Sequence, residues 1–228
     1  MRLGYDLYLG HFKNINDDKS PGFGVEILRQ VFATMHQNVS IDTLPTNRLW
    51  KMVVRGEREG IFPTVRSGER LQICDFPNEP LTHTSYTLFV RKSDVGKLNF
   101  HSIDDLVGHG IVIREVRESV LPPDLQDFFR VHQNLTETDS DTESLRMLAA
   151  GHVDYAIMPT RFAPRAIGAL GLSGKIEPLP SGDLGQGEDY VCFNKDRVSP
   201  AFVTAFSSAL KQFKQTDQYR AIFRKYFS

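Results

Sequence analysis

Apolar and polar residues along the first third of the chain alternate between two periods. Short apolar runs of strand length are separated by segments in which apolar residues recur every three or four positions, the spacing of a helix with one buried face. Strands are predicted at Leu3–Tyr8, at Val39–Leu44 and from Gly60 onward, and helices at Val25–Met35 and Arg48–Arg55. This β-α-β-α-β order predicts a mainly parallel sheet with helices on its faces.

A second set of strands and helices, a second β-α-β set, follows between about residues 90 and 185. Its predicted strands are Ser85–Arg91, Gly110–Arg114 and Val153–Met158, and its helices are Pro122–Val131 and the segment from Ser140 to Ala150. Ser140 and Glu143 have the spacing of a capping box, which marks the start of a helix. The chain closes with a helical pattern over Ser199–Ser228, where two apolar stripes indicate faces turned toward a core.

The two sets contain similar short segments, VVRGEREGIF in the first and LAAGHVDYAI in the second. In each segment a glycine, Gly56 or Gly151, closes a helix, because glycine accepts the left-handed backbone that ends many helices. An acidic residue, Glu59 or Asp154, then opens a strand. We therefore predict two α/β lobes of similar design within one chain.

Composition and charge exclude several classes of protein. The chain has 228 residues, with 27 Lys plus Arg against 28 Asp plus Glu and a formal net charge of −1. This balance argues against nucleic-acid binding, which depends on a basic excess. No apolar run approaches the roughly 18 residues of a membrane span. None of the seven histidines pairs as His-x-x-x-His or clusters with cysteine, so neither a metal nor another cofactor is expected.

The N-terminal residues and the two cysteines both bear on whether the protein is exported. The first ten residues lack a basic stretch followed by an apolar one, so no signal peptide is predicted in them, although a mature chain after leader removal would begin in the same way. Cys74 and Cys192 could form one disulfide in an exported protein. Two buried free thiols are the simpler expectation from sequence, since their distance along the chain says nothing about their separation.

Four segments in order resemble the bacterial extracellular solute-binding proteins of family 3, the amino-acid-binding type. They are PGFGVEILRQVF, GEREGIFPTVRSGERLQICDFPNEP, SIDDLVG and LRMLAAGHVDYAI. The resemblance extends over nearly the whole chain and implies the type II periplasmic-binding-protein fold. In that α/β fold, two lobes are joined by two crossing segments. The implied boundaries are 1–88 plus 191–228 for lobe 1 and 89–190 for lobe 2.

The resemblance also implies a function. The two lobes would close on a small carboxylate-bearing ligand, an amino acid or a related acid, for ABC-type uptake through a membrane permease. The expected protein is periplasmic, monomeric and not an enzyme. Two alternatives stay open: a ligand-sensing domain of a larger signalling receptor, and a cyclohexadienyl-dehydratase-like enzyme, which would need an acid/base pair in the cleft.

Arg70 is the leading candidate ligand-binding residue. The family has an arginine at the matching position that grips the carboxylate of the ligand. A guanidinium suits this task because its paired N–H donors match the two oxygens of a carboxylate. The alternative is a surface salt bridge with Glu69 or Asp75.

Four further residues of lobe 1 are candidates for the ligand site. Asp6 matches an acidic family position at the end of the first strand, where ligands of parallel sheets bind; a capping or loop carboxylate is the alternative. Arg48 and Trp50 would form a wall of the pocket, although a lone tryptophan is commonly part of a core. Thr64, like Ser67 beside it, would add a hydroxyl donor or serve as a turn residue.

In lobe 2 the sequence departs from the family, which has small residues after the first strand of this lobe. Arg114, Arg117 and Ser119 are the candidates here, with a solvated run of charges as the alternative. A second departure is Pro159, which replaces the aspartate that holds the ligand's ammonium group in the family. Proline offers neither charge nor N–H. The ligand is therefore expected to lack an α-amino group or to have it bound differently, by Glu188 or Asp189 for example.

Overall fold

A computed structural model describes residues 1–6, 21–114 and 121–227 of the chain. These residues form two compact units. Unit 1 comprises Met1–His83 and Glu188–Ser228, and unit 2 comprises Thr84–Gly187. The chain therefore leaves unit 1 once and returns to it once.

Strands and helices alternate along most of the chain. The strands are β1 (Arg2–Asp6), β2 (Ser40–Leu44), β3 (Gly60–Thr64), β4 (Cys74–Asp75), β5 (Thr82–Arg91), β6 (Ile111–Arg114), β7 (Leu135–Thr138), β8 (Tyr155–Pro159) and β9 (Ile176–Asn194). The helices are α1 (Phe23–Thr34), α2 (Thr46–Val54), α3 (Arg70–Ile73), α4 (Pro123–His132), α5 (Asp141–Ala150), α6 (Ala163–Ala169), α7 (Pro200–Phe213) and α8 (Asp217–Phe227). Every strand and helix predicted above has a counterpart here, with most ends displaced by a few residues; Leu7 and Tyr8, the end of the first predicted strand, lie outside the described residues.

The sheet of unit 1 is built around β1. This strand pairs in parallel with β2 on one side and with β3 on the other. The last residues of β9 then pair antiparallel with β3, and the short β4 pairs antiparallel with the same end of β9. The first three strands form the predicted parallel sheet, and α1 and α2 are the helices that connect them.

Unit 2 repeats this topology around β6. This strand pairs in parallel with β7 and β8, and β5 pairs antiparallel with β8. The strand β6 thus corresponds to β1, β7 to β2 and β8 to β3. The α/β architecture predicted from the sequence is confirmed in both units.

The short sequence repeat has the same structure in both places. Gly56 and Gly151 have φ angles of +69° and +78°, the left-handed backbone that ends α2 and α5. Three residues after each glycine, the Glu59 carboxylate accepts a hydrogen bond from the Arg2 backbone at 2.6 Å, and that of Asp154 accepts one from Gly110 at 3.2 Å. Each acidic residue therefore fixes the start of the neighbouring central strand, β1 or β6.

The C-terminal region forms two helices, α7 and α8, where the sequence pattern indicated one helical segment with two apolar stripes. The break occurs because the Thr216 side chain caps the new helix, accepting a hydrogen bond from the Tyr219 backbone at 3.2 Å. Aromatic residues of α8 surround Phe23 of α1, with ring centres 4.8 to 6.2 Å apart. The two C-terminal helices thereby complete the core of unit 1.

The two cysteines are bonded to each other. Cys74 of β4 and Cys192 of β9 form a disulfide with Cα atoms 5.4 Å apart, and both are fully buried. The expectation of two free thiols is wrong, because the pairing of β4 with β9 brings together two residues that are 118 positions apart in sequence. The bond lies in a small cluster with Leu49, Val53 and Ile61.

Candidate functional site

The carboxyl end of β3 leads into the loop that contains the main candidate residues. Thr64, the last residue of β3, is buried and lies opposite Tyr190 of β9 in the sheet. The chain then turns at Ser67, whose hydroxyl oxygen is 3.4 Å from the backbone nitrogen of Arg70 and accepts its hydrogen bond. The Ser67 carbonyl accepts another from Leu71 at 2.9 Å. Thr64 is therefore a strand residue, and Ser67 is the turn residue that starts α3.

Arg70 is half-buried and held by its own loop. One terminal nitrogen of its guanidinium donates a hydrogen bond to the Val65 carbonyl at 3.3 Å. The guanidinium carbon lies 5.6 Å from the centre of the Trp50 ring, within the range of a cation–π contact. Burial lowers the pKa of Arg70, and the nearby charge of Glu69 opposes this effect.

The salt-bridge alternative for Arg70 is not realised among the described residues. Asp75 instead pairs with Lys195, at 3.9 Å. No carboxylate side chain described in residues 1–5, 21–114 or 121–227 forms an ion pair with Arg70 within 4.0 Å. Among the described residues, the remaining donors of the Arg70 guanidinium therefore have no acidic partner.

Arg66 is a second cation on the same loop, and the sequence analysis missed it. Its guanidinium carbon lies 4.2 Å from the centre of the Tyr190 ring and 6.0 Å from that of Phe76. One of its nitrogens donates a hydrogen bond to the Pro77 carbonyl. The sequence offered one signal, an arginine four residues before Arg70, but nothing local to indicate Tyr190 as its partner.

Tyr190 connects Arg66 to an acidic residue of β9. Its hydroxyl donates a hydrogen bond to the Glu188 carboxylate. Burial and this bond raise the pKa of Tyr190 to about 12, although the charge of Arg66 acts in the opposite direction. Glu188 also lies 3.8 Å from the Nδ1 atom of His83. Glu188 therefore has partners within unit 1 that compete with its suggested role as an ammonium ligand.

Of the other lobe 1 candidates, the described contacts bring Trp50 alone to Arg70. Trp50 is half-buried against the disulfide cluster, so it belongs partly to a core and also contacts Arg70. Arg48 has an exposed side chain, and no described contact joins it to Arg70. Asp6 ends β1 opposite Leu44, but its side chain lies outside the described part of the structure. These three remain predicted site residues.

Among the unit 2 candidates, Arg114 is the one that the structure describes. It ends β6 and is only 1% exposed. The alternative that Arg114 belongs to a solvated run of charges is therefore wrong. Arg117 and Ser119 lie outside the described residues. Pro159 ends β8 in a buried position opposite Tyr86. The hydroxyl of the next residue, Thr160, donates a hydrogen bond to the Ser85 carbonyl at 3.1 Å.

The described residues contain neither a side-chain cluster for a metal ion nor a helix suited to a membrane. No group of three or more His, Cys, Asp or Glu side chains in this part of the chain is arranged to hold a metal ion. No helix within the same ranges combines the length and apolar character needed to cross a lipid bilayer.

The sequence matches the family model described as bacterial extracellular solute-binding proteins, family 3, over residues 1–228. The chain belongs to this family. The resemblance stated from the four sequence segments is therefore confirmed. No curated protein sequence matches this family member.

Solved structures similar to this solute-binding family member share its fold at low sequence identity. A histidine kinase sensor domain with similarity to periplasmic binding proteins has a TM-score of 0.80 and 19% identity, covering 100% of this chain and 96% of its own. The GluR0 ligand-binding core from Nostoc punctiforme, solved with L-glutamate, has a TM-score of 0.75 and 17% identity over 100% and 99% of the chains. The arginine-, lysine-, histidine-binding protein ArtJ from Geobacillus stearothermophilus has a TM-score of 0.76 and 18% identity over 100% and 94%. These likenesses support the two-lobed type II periplasmic-binding-protein fold.

Proposed function

We propose that this protein is a solute-binding protein that holds a small carboxylate through Arg70. The observation that carries this proposal is the half-buried guanidinium of Arg70, which is fixed to the Val65 carbonyl and has no acidic partner among the described residues. An arginine held in this way keeps a bidentate donor face for a carboxylate. Desolvation strengthens such a contact, because the competing water is partly removed.

The proposed ligand is an amino acid or a related organic acid. Two of the similar structures are amino-acid-binding proteins by their descriptions. The buried Pro159, where the family has an ammonium-binding aspartate, favours an acid without an α-amino group. We further propose that lobes 1–88 with 191–228 and 89–190 close on this ligand, since a ligand that contacts both lobes only in the closed form shifts the equilibrium toward it.

We propose a periplasmic location and a monomeric protein that delivers its ligand to a membrane permease for ABC-type uptake. The buried Cys74–Cys192 disulfide supports export, since such bonds persist in oxidising compartments. A ligand-sensing domain of a signalling receptor is the second candidate, and the similarity to a histidine kinase sensor domain favours it. Catalysis is not part of the proposal, because no sequence motif fixes the acid/base pair that an enzyme of this fold would need.

Arg70→Ala tests the proposed function. A screen of amino acids, keto acids and simple carboxylates should find compounds that raise the melting temperature of the wild type, since a ligand at 100 times its Kd adds about 2.7 kcal/mol to the stability. We expect Arg70→Ala to weaken the binding of these compounds at least about tenfold, the effect of losing hydrogen bonds to a charged group. Isothermal titration calorimetry measures the change.

Arg55→Ala is the matched control for this experiment. Arg55 lies in the same unit with a side chain that is 70% exposed, and it should bind no ligand. Full affinity of the folded Arg70→Ala protein would remove Arg70 from the site. A screen in which no carboxylate shifts the melting temperature would contradict carboxylate binding for the classes tested.

A further inference from the structure

The loop between β3 and α3 carries two arginines, and both are held in place. Arg70 donates to the Val65 carbonyl, and Arg66 donates to the Pro77 carbonyl. Each guanidinium also lies near an aromatic ring, Trp50 for Arg70 and Tyr190 for Arg66. A side chain fixed by both contacts loses little further conformational freedom when it binds a ligand.

The acidic side chains near this loop have partners elsewhere. Asp75 pairs with Lys195 at 3.9 Å, and Glu79 pairs with Lys214 at 2.7 Å. Glu188 accepts the Tyr190 hydroxyl. Glu69, between the two arginines in sequence, has an exposed side chain and acts on Arg70 only through the longer-range attraction of its charge.

The two cations therefore lack a neutralising carboxylate in the described part of the chain. Neither Arg66 nor Arg70 forms an ion pair with a side chain described in the ranges 1–5, 21–114 and 121–227. The two guanidiniums lie four residues apart in sequence on one short loop, and each would be stabilised by an anionic partner. The structure of the loop thus favours a ligand that brings two negative charges.

The remaining donors of both arginines suit this role. A guanidinium has several N–H donors in one plane, and each of these two uses a single described hydrogen bond to a carbonyl. An aromatic ring over its face leaves the N–H groups at its edge available for carboxylate oxygens. Arg66 has an exposed side chain, so a solute can reach it.

We propose that the ligand is a dicarboxylate, with one carboxylate bound by Arg70 and the second by Arg66. This inference rests on the proposed function, because it assigns the second acidic group of the ligand that Arg70 holds. Arg66 is then the residue that distinguishes dicarboxylates from monocarboxylates of the same length. Its contact with Tyr190 positions the guanidinium for that purpose.

Calorimetric titration with two matched pairs of acids tests the inference. The pairs are succinate with butyrate and glutarate with pentanoate, each differing by one carboxylate. We expect the wild type to bind each dicarboxylate about ten- to hundredfold more tightly than its partner, the effect of one additional charge-assisted contact. Arg66→Gln should remove this preference and leave monocarboxylate affinity unchanged, whereas Arg70→Gln should weaken both series. Arg55→Gln, on an exposed part of the same unit, is the control.

The outcomes separate this inference from the proposed function. Equal affinities within each pair, or a preference that survives in Arg66→Gln, would overturn the assignment of Arg66. Loss of monocarboxylate binding in Arg70→Gln would still support the proposed function in that case. Failure of all four acids to bind the wild type would overturn the dicarboxylate assignment, and the wider carboxylate screen would then decide the proposed function. Arg66→Lys keeps the charge without the planar donor face, and it should retain part of the preference if Arg66→Gln does not fold.

Discussion

Single carboxylates fix the central strand of each unit. Glu59 accepts a hydrogen bond from the Arg2 backbone and lies 3.5 Å from the guanidinium of Arg2. Burial by itself raises the pKa of Glu59, but the hydrogen bonds and the charge of Arg2 outweigh it and lower the pKa overall. Asp154 has the same role in unit 2, with the His109 ring nitrogen 3.0 Å away.

Glu59→Gln should destabilise the protein and change its response to acid. A folded-state pKa below the ordinary 4.5 stabilises the fold fully above that pH, and the stabilisation is lost as the pH falls through the folded pKa. We expect a loss of about 1 kcal/mol at pH 7 and a weaker decline of stability below pH 4.5 than in the wild type. Urea unfolding across this pH range measures both.

The neighbouring Glu57→Gln is the control for Glu59→Gln. Glu57 is about half-exposed and lies 3.9 Å from Arg55, so its replacement should have little effect. If the two variants have the same pH dependence of stability, the Glu59 carboxylate does not anchor β1.

At the scale of helices and strands, most of the fold follows from local pattern. The sequence predicted the strands and helices of the parallel sheet of unit 1 and most of those of unit 2, because apolar spacing, caps and glycines act over a few residues. It did not predict β7, α6, the four-residue α3 or the start of β9. The strand β7 is short and mostly exposed, and α3 buries none of its side chains fully. Neither element therefore has an apolar stripe that would indicate it in the sequence.

The glycines at the ends of α2 and α5 test whether short sequence patterns determine these helix ends. Gly56→Ala and Gly151→Ala should each destabilise the protein by about 1 to 2 kcal/mol, the energy of a left-handed backbone for an ordinary residue. A clash is not the cause, since a Cβ at these positions would lie 3.5 Å from Arg197 and 4.0 Å from Arg91. Thermal and urea unfolding measure the loss.

Gly168→Ala is the matched control for these two variants. Gly168 lies within α6, and a Cβ there would meet only Ser173, at 3.7 Å. Alanine at this position should stabilise the protein by up to about 1 kcal/mol, because it has the higher helix propensity. Equal effects of all three substitutions would contradict the assignment of the loss to left-handed backbone.

For the molecule as a whole, the disulfide between β4 and β9 joins distant parts of unit 1. Cys74 directly follows α3, which begins with Arg70, so the bond fixes one end of the candidate ligand loop. Cys192 belongs to the segment that returns from unit 2. The stability of unit 1 therefore depends on a bond to a residue that follows unit 2 in the sequence.

Replacing both cysteines by alanine should lower the free energy of unfolding by about 2 to 5 kcal/mol, because the unfolded chain gains freedom when a long loop is opened. Urea unfolding with and without dithiothreitol provides the comparison. The reductant should destabilise the wild type and leave the double variant unchanged. A wild type that unfolds identically under both conditions would show that the bond does not contribute.

Sequence alone determined the parts of this protein that depend on near neighbours. The β-α-β-α-β set of unit 1, the second β-α-β set and the glycine helix ends were predicted, because periodicity and caps encode them within a few residues. The family resemblance, confirmed over residues 1–228, added the order of these segments.

Tertiary structure alone decided which distant residues meet. The antiparallel pairing of β9 with β3 and β4 brings Tyr190 to Arg66 and Cys192 to Cys74, although the cysteines are 118 residues apart. No local pattern specifies such pairs, since they form only when the chain has left unit 1 and returned to it. Arg66, the second cation of the candidate ligand loop, was therefore visible in the sequence, but its fixed position and its proposed role came from the fold.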